Sequence, residues 1–191
     1  MVRVGFIVEG GCERIVLNSS GFSNFLSSNH LQLIGEVIDM NGKGNLSASS
    51  KRMQSQVKLL RNEGAEWIIV LRDMDNAVSF GSVKSEVFQA PEIIVCLAVQ
   101  ELEAWFIADY VTLSVFIGNS SHHREPETIL KPAVFINEHR RLHTGRGIKD
   151  KKGFATAMVN NGFTIERAAE HPNCPSARYF LDKLQTLASA N

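Results

Sequence analysis

Residues 2–13 read VRVGFIVEGGCE, an apolar run that ends in two carboxylates, Glu9 and Glu13. A second apolar run, WIIVLRDMD over residues 67–75, ends in Asp73 and Asp75. Apolar runs of this length indicate strands that are buried on both faces, as in a parallel sheet covered by helices. Because ligands bind outside the carboxyl ends of such strands, the sequence predicts a cluster of four carboxylates at the binding edge of a sheet.

Strand and helix patterns alternate through the first half of the chain. Strands are predicted at residues 2–8, 33–40, 67–71 and 92–99, and helices at residues 12–28, 46–63, 80–89 and 100–110. Gly64 is placed to end the second helix. The alternation predicts an α/β fold with a largely parallel central sheet, flanked by helices and joined by right-handed crossovers.

The second half of the chain has a different character. No strand pattern follows residue 110, and prolines divide the remainder into short helices and loops, at Pro126, Pro132, Pro172 and Pro175. A final amphipathic helix is predicted over residues 176–187, with these side chains directed inward: Tyr179, Phe180, Leu184 and Leu187. We therefore expect an α/β domain at residues 1–110 and a mainly helical extension or cap at residues 111–191, packed on the same core.

The composition is that of an ordinary soluble globular protein. The chain has 191 residues, of which 44% are hydrophobic, and its apolar stretches are shorter than the roughly 20 residues that a membrane helix needs. The N-terminus has no cleavable signal pattern, so we expect a cytoplasmic protein. Cys12, Cys96 and Cys174 form no CxxC pair, which indicates reduced thiols. The formal net charge of zero gives no global attraction to nucleic acid, so any basic surface must be local.

The carboxylates point to a metal. Four of them brought together repel one another unless some are protonated or a cation neutralises them, and hard divalent cations favour oxygen ligands. Asp73 and Asp75 would lie on one side of the strand if the backbone stayed extended. Each pair also has a simpler interpretation, because Glu13 could favour a helix N-terminus and an Asp-x-Asp-Asn sequence could form a surface turn.

The order of these motifs resembles a known fold. Val8-Glu9-Gly10 after the first strand, followed by Asp73-Met74-Asp75 after the third, resembles the Toprim fold of topoisomerases, primases, small nucleases and overcoming-lysogenization-defect nucleases. The whole chain is similar to a Toprim-related bacterial family that combines VEGxxE, DxD and Glu-Ala-Trp-hydrophobic-x-Ala-Asp. Here these motifs occupy residues 8–13, 73–75 and 103–109. The later residues 151–153 and 176–181 also resemble the C-terminal pattern of that family.

The resemblance implies metal-assisted phosphate chemistry. Asp73 and Asp75 would hold Mg²⁺ or Mn²⁺, and Glu9 would be either a ligand or the general base that activates water. Glu13 and Glu103 would support a second metal ion, although Glu103 could simply belong to a charged first helical turn with Glu101. Asp109 is expected to end that helix or fix a local turn. Lys43 or Lys152 would neutralise the charge that develops on phosphorus.

The one dense basic segment spans residues 139–152. Its cations are Arg140, Arg141, Arg146, Lys149, Lys151 and Lys152. Together with Lys43, they form a predicted surface for nucleic-acid phosphates, because a local positive patch can bind nucleic acid even on a neutral protein. The equally weighted alternative is a solvated loop. His139 and His143 have helical spacing but no evident third ligand, so a zinc site is not predicted.

We therefore expect a metal-dependent nuclease or a related phosphoryl-transfer enzyme acting on nucleic acid. Gly42-Lys43-Gly44 lacks the spacing of a P-loop, so ATP hydrolysis by this chain is not expected. The alternative is a non-catalytic Toprim-like subunit that binds nucleic acid or protein, as in a defence system. The link to defence-associated nucleases allows a separately encoded ATPase partner, and no membrane partner is expected.

Overall fold

A five-stranded parallel sheet forms the centre of the fold in the computed structural model, which describes residues 1–189. The strands are β1 (Val2–Val8), β2 (Leu31–Leu33), β3 (Ile38–Asp39), β4 (Trp67–Asp73) and β5 (Ile93–Ala98). Their order is β2-β1-β4-β5, and β3 pairs with the second half of β1. The predicted α/β class and parallel sheet are confirmed. The single strand expected at residues 33–40 is instead two short strands, separated by a segment in which Gly35 has φ +66°.

Ten α-helices surround this sheet within residues 1–189. They are α1 (Gly11–Leu17), α2 (Ser20–Ser28), α3 (Lys51–Asn62), α4 (Phe80–Glu86), α5 (Glu103–Ala108), α6 (Tyr110–Ile117), α7 (Pro132–Thr144), α8 (Lys151–Asn160), α9 (Ile165–Glu170) and α10 (Pro175–Ser189). The helix predicted at residues 12–28 is divided because Ser19 caps a new helix, its Oγ accepting a hydrogen bond from the Phe22 N–H at 3.2 Å. Gly64 follows α3 with φ +94°, as predicted for the end of that helix. None of the helices described is long and apolar enough to cross a membrane.

Both faces of the sheet are buried. One face packs against α3 and α4, through Leu60, Val83 and their neighbours. The opposite face belongs to a larger cluster that includes α1, α2 and α5 to α10. The helices after residue 110 therefore extend the same hydrophobic core as the strands. In α10, Phe180, Leu184 and Leu187 are buried as predicted, whereas Tyr179 is exposed, which corrects the expected inward direction of its ring.

The most buried helix is α5, all six residues of which are buried. Phe106 contacts the rings of Phe154 and Phe163, with centroid separations of 5.1 and 4.6 Å. Trp105 donates its indole N–H to Ser176 Oγ at 2.7 Å, which joins α5 to the first turn of α10. Residues before and after residue 110 thus pack around α5. This helix is the first one after the carboxyl end of β5.

Candidate functional site

The strand order creates a crevice at the carboxyl ends of β1 and β4. In the sheet, β1 lies between β2 and β4. The chain continues from β1 to β2 on one side of β1 and later returns to β4 on its other side. Ligands bind at such a reversal in strand order. A cavity of about 410 Å³ occupies this position. Its charged lining residues are Glu9, Glu13, Asp73, Glu103, Lys151 and Lys152.

Four local structures deliver the carboxylates to this cavity. Glu9 directly follows β1, and its N–H donates to the Leu71 carbonyl of β4 at 3.0 Å. Glu13 lies in the first turn of α1, and Asp73 is the last residue of β4. Glu103 begins α5, and Asp73 fixes the entry to that helix because its Oδ1 accepts a hydrogen bond from the Leu102 N–H at 2.8 Å. The structure therefore brings four of the five predicted metal ligands to one cavity.

The pKa of each of the four carboxyl groups is raised, and a nearby carboxylate contributes in every case. Removal from water is the largest cause in each case. Burial and the neighbouring Glu9 and Glu103 raise the pKa of Glu13 to about 7. Burial, Glu13 and Glu103 raise the pKa of Asp73 well above its ordinary value. The pKa of Glu9 is raised by burial against the opposing effect of Arg72. The cluster is thus short of positive charge.

Two carboxylate oxygens lack a hydrogen-bond donor. Glu9 Oε2 and Glu103 Oε1 are buried and accept no well-aligned hydrogen bond, although Lys151 Nζ lies 3.3 Å from Glu103 Oε1. Lys151 instead donates to Glu101 Oε2 at 2.9 Å. Burial opposes the charge on Lys151, but Glu103 and Glu101 outweigh that effect and raise its pKa. Buried polar oxygens without partners are costly, so these two are sites where a cation would be stabilised.

The donor chemistry of the cavity fits a hard divalent cation, because its polar side chains are carboxylates with unused oxygens. As the side chains stand, however, no group of three or more His, Cys, Asp and Glu residues within residues 1–189 could hold a metal ion. Binding a cation therefore requires side chains to rotate toward a common centre. Glu9 and Glu13 each have three side-chain torsions through which such a rearrangement could occur.

Asp75 lies apart from this cavity. Its backbone is left-handed, with φ +51°, so the chain does not stay extended beyond β4 and Asp75 does not share the position of Asp73. The Asp75 N–H donates to the Gln100 carbonyl at 2.8 Å. Its Oδ2 accepts a hydrogen bond from Lys43 Nζ at 2.8 Å, in a separate cavity that both side chains line. Asp tolerates left-handed backbone better than most residues do, which is the physical reason for this difference.

Arg72 is a charged residue of this region that the motifs did not predict. It is 4% exposed, its Nη1 donates to Glu86 Oε2 at 3.2 Å, and its Nε lies 3.9 Å from Glu9 Oε2. The guanidinium group therefore lies beside Glu9 but does not line the crevice. One signal in the sequence could have identified it. Arg72 stands between the apolar run of residues 67–71 and Asp73, and an arginine that is buried with such a strand must be paired.

Some of the predicted basic residues contact a carboxylate or an aromatic ring, and others do not. Lys43 and Lys151 form the ion pairs already described, and the Arg140 guanidinium stacks on the Phe116 ring, 3.9 Å from its centroid. In contrast, four exposed cations have no carboxylate within 4.0 Å among the residues described: Arg141, Arg146, Lys149 and Lys152. Lys152 lies against Gly11, where an added Cβ atom would clash with Lys152 Cε. A glycine at residue 11 thus lets this lysine reach the crevice.

The crevice is lined by carboxylates and by Lys151 and Lys152. Comparisons of this chain with models of known protein families, with curated proteins and with solved structures found no match. What the crevice can do chemically follows from its charges. Carboxylates short of positive charge attract a cation, and nearby ammonium groups attract an anion, so together they suit a metal ion and a phosphate group.

Proposed function

We propose that this chain is a Mg²⁺- or Mn²⁺-dependent phosphodiesterase that acts on nucleic acid, with a Toprim-like arrangement of acidic residues. The observation that carries the proposal is the juxtaposition of Glu9, Glu13, Asp73 and Glu103 at the β1–β4 crevice, where burial and nearby carboxylates raise the pKa of each. Glu13 and Asp73 have no lysine or arginine within 4.0 Å among the described residues, whereas a structural role would favour such pairing because an unpaired buried charge is destabilising.

Some of these residues would hold a cation, and Glu9 could accept a proton. Glu13, Asp73 and Glu103 would hold the metal, which would supply charge stabilisation and a more acidic bound water. Glu9 has a free oxygen and would serve as a further ligand or accept the proton of the attacking water. The water oxygen would form a bond to phosphorus while the bond to the leaving ester oxygen breaks. Lys152 would face the negative charge on the phosphate oxygens.

Asp75 and Lys43 would have a supporting role. Their ion pair lies beside the crevice, and Asp75 raises the pKa of Glu9 through its charge. Asp75 would therefore tune Glu9 from the neighbouring cavity, and Lys43 would contact phosphate only after leaving Asp75. This assignment differs from the paired metal ligands that the DxD motif predicts.

A non-catalytic subunit that binds nucleic acid or protein is the second candidate. The observation that favours it is Lys151, which already pairs with Glu101 and approaches Glu103, as a structural cation would. Such a subunit could act with a separately encoded ATPase. Metal-dependent cleavage distinguishes the two candidates, since only the phosphodiesterase requires it.

The first prediction is that Mg²⁺ and Mn²⁺ raise the melting temperature of the protein and support cleavage of DNA or RNA. Asp73→Asn should abolish both effects, because it removes a charge at the centre of the cluster while preserving shape. The measurements are thermal unfolding and cleavage of labelled single-stranded and duplex DNA and RNA, with Mg²⁺, with Mn²⁺ and with EDTA.

Glu36→Gln provides the matched control, because Glu36 is an exposed carboxylate outside the cavity. It should retain both responses. A folded Asp73→Asn variant with unchanged metal stabilisation would reject the site. Metal binding without cleavage of any of the nucleic acids would favour the non-catalytic candidate.

A further inference from the structure

A second cavity, of about 350 Å³, lies at the edge strand β5, between α4 and α10. Its walls are Phe80, Leu97, Pro175 and Tyr179, and Lys84 and Ser176 are its polar lining residues. Phe80 is 50% exposed and Tyr179 is 38% exposed. Two large aromatic rings thus border an open apolar space at the surface of the protein.

Positive charge accompanies these rings. Lys84 Nζ donates to the Tyr179 hydroxyl at 3.2 Å and lies 5.0 Å from the centroid of its ring. Lys183 Nζ lies 5.2 Å from the same centroid. Neither lysine has a carboxylate within 4.0 Å in the described part of the chain. The cavity therefore combines flat apolar walls with two nearby cations that form no ion pair among residues 1–189.

This aromatic cavity is joined to the same end of the sheet as the carboxylate crevice. Leu97 precedes Ala98, which is the register partner of Asp73, so the Leu97 and Asp73 Cα atoms lie roughly 6 Å apart. Ser176 accepts hydrogen bonds from the Val99 N–H at 3.3 Å and from Trp105 Nε1 at 2.7 Å. One wall of the aromatic cavity is thus fixed to the loop and helix that present Glu103.

We propose that the aromatic cavity binds an unpaired base of single-stranded nucleic acid, while Lys84 and Lys183 contact the adjoining phosphates. The proposal rests on the proposed function and specifies its substrate as single-stranded. A flat apolar wall and cations suit a nucleotide, which combines a base with a flanking negative charge. A base within a duplex is already stacked and paired, so it would have to leave the helix before entering the cavity.

The test compares binding of intact and abasic oligonucleotides in EDTA, where no metal-dependent cleavage occurs. The probes are labelled 12-nucleotide single strands of DNA and of RNA, each with a counterpart that lacks the central bases, and the measurement is fluorescence anisotropy. Wild-type protein should bind the intact strand of at least one type at least about fivefold more tightly, since each stacked base contributes substantially to affinity. Equal affinity for intact and abasic strands of both types, or no binding, overturns the proposal.

Variants then locate the base contact. Tyr179→Leu retains apolar bulk but removes the ring, and together with Phe80→Ala it should eliminate the preference for intact strands. Tyr110→Ala removes another exposed ring on α6 and should retain that preference. Lys84→Ala/Lys183→Ala should flatten the salt dependence of binding, whereas Lys51→Ala/Lys58→Ala on α3 should not.

Other occupants would give different results. If the cavity were an interface between two copies, Tyr179→Leu/Phe80→Ala would lower the mass in solution and leave the base preference unchanged, which overturns the proposal. Because binding is measured in EDTA, failure of cleavage leaves the base preference intact and counts only against the proposed hydrolysis. Conversely, cleavage without any preference for intact over abasic strands supports the proposed function and overturns the proposal that the aromatic cavity binds an unpaired base.

Discussion

Glu13 shows how a single residue in this molecule couples burial to charge. It lies in the first turn of α1, where the helix dipole would ordinarily favour its ionised form. Burial and two neighbouring carboxylates oppose that effect and raise its pKa to about 7. The folded protein therefore retains a proton that the unfolded chain releases near pH 4.5.

The pH dependence of stability follows from this difference. The contribution of a carboxyl group whose pKa is raised on folding is fully present below the unfolded value and is lost as pH rises toward the folded value. In EDTA, we predict that Glu13 lowers the free energy of unfolding between about pH 4.5 and pH 7, by at most about 3 kcal/mol. Glu13→Gln should remove this decline and should be more stable than wild type at pH 8.

Urea unfolding from pH 4.5 to pH 8 measures the effect. The comparison between wild type and Glu13→Gln isolates this carboxyl from His171, whose pKa is lowered by burial and which acts in the opposite direction. Glu36→Gln should follow the wild-type profile. A difference between wild type and Glu13→Gln that does not change with pH would contradict the prediction.

At the residue scale, the sequence predicted which carboxylates follow the strands but not the direction of each side chain. Asp73 and Glu9 reach the crevice because strand ends fix their positions. Asp75 does not, because the left-handed backbone after β4 depends on hydrogen bonds to Ala98 and Gln100, which are distant in sequence. Arg72 was not predicted because its partner Glu86 belongs to α4, beyond any local motif.

At the scale of elements, Asp109 connects α5 and α6 with α9. It ends α5, and its Oδ1 accepts a hydrogen bond from the Thr112 N–H at 3.2 Å at the start of α6, which confirms the predicted local role. Its Oδ2 accepts hydrogen bonds from Arg167 of α9 at 3.1 and 3.0 Å. This buried carboxylate therefore serves the stability of the helical half.

Asp109→Ala should destabilise the protein by about 3 kcal/mol, because it removes a helix cap and leaves Arg167 without its acidic partner. Asp150 is a suitable control, since its Oδ1 caps α8 by accepting from the Gly153 N–H at 2.7 Å but the residue is exposed. Asp150→Ala should cost about 1 kcal/mol. Chemical denaturation measures both, and equal losses would show that Arg167 contributes nothing.

Periodicity predicted the long elements and failed where tertiary contacts divide them. The strand pattern over residues 33–40 could not show that β2 and β3 pair with different parts of β1. Likewise, the apolar spacing across residues 12–28 continues through Ser19, although that hydroxyl begins a new helix. Composition alone also could not show that α5 is buried on all sides, since the helices that enclose it come later in the chain.

At the scale of the whole molecule, a net charge of zero conceals an uneven distribution. Acidic groups converge on the β1–β4 crevice, whereas the segment between α7 and α8 carries Arg146 and Lys149, which are exposed and have no acidic partner among residues 1–189. A polyanion needs positive contacts outside the acidic crevice, and this segment can supply them.

Arg146→Ala/Lys149→Ala should weaken nucleic-acid binding and flatten its salt dependence. Each lost phosphate contact should reduce the slope of log K against log salt by about 0.7–0.9. Lys51→Ala/Lys58→Ala removes the same charge from α3 and should leave the slope unchanged. Anisotropy titrations at several salt concentrations measure the slope, and identical slopes for the two double variants would identify the segment as a solvated loop.

The pairing of Lys151 with Glu101 and Glu103 has a thermodynamic consequence for the proposed function. A metal ion that takes the Glu103 oxygens would compete with the Lys151 ammonium group, which lies 3.3 Å from Oε1, so metal binding would weaken that ion pair. Lys151 could then turn from Glu103 and Glu101 to a phosphate. A polyanion that draws Lys151 away must strengthen metal binding by the same factor by which the metal strengthens binding of the polyanion. The two ligands would therefore bind cooperatively through one lysine.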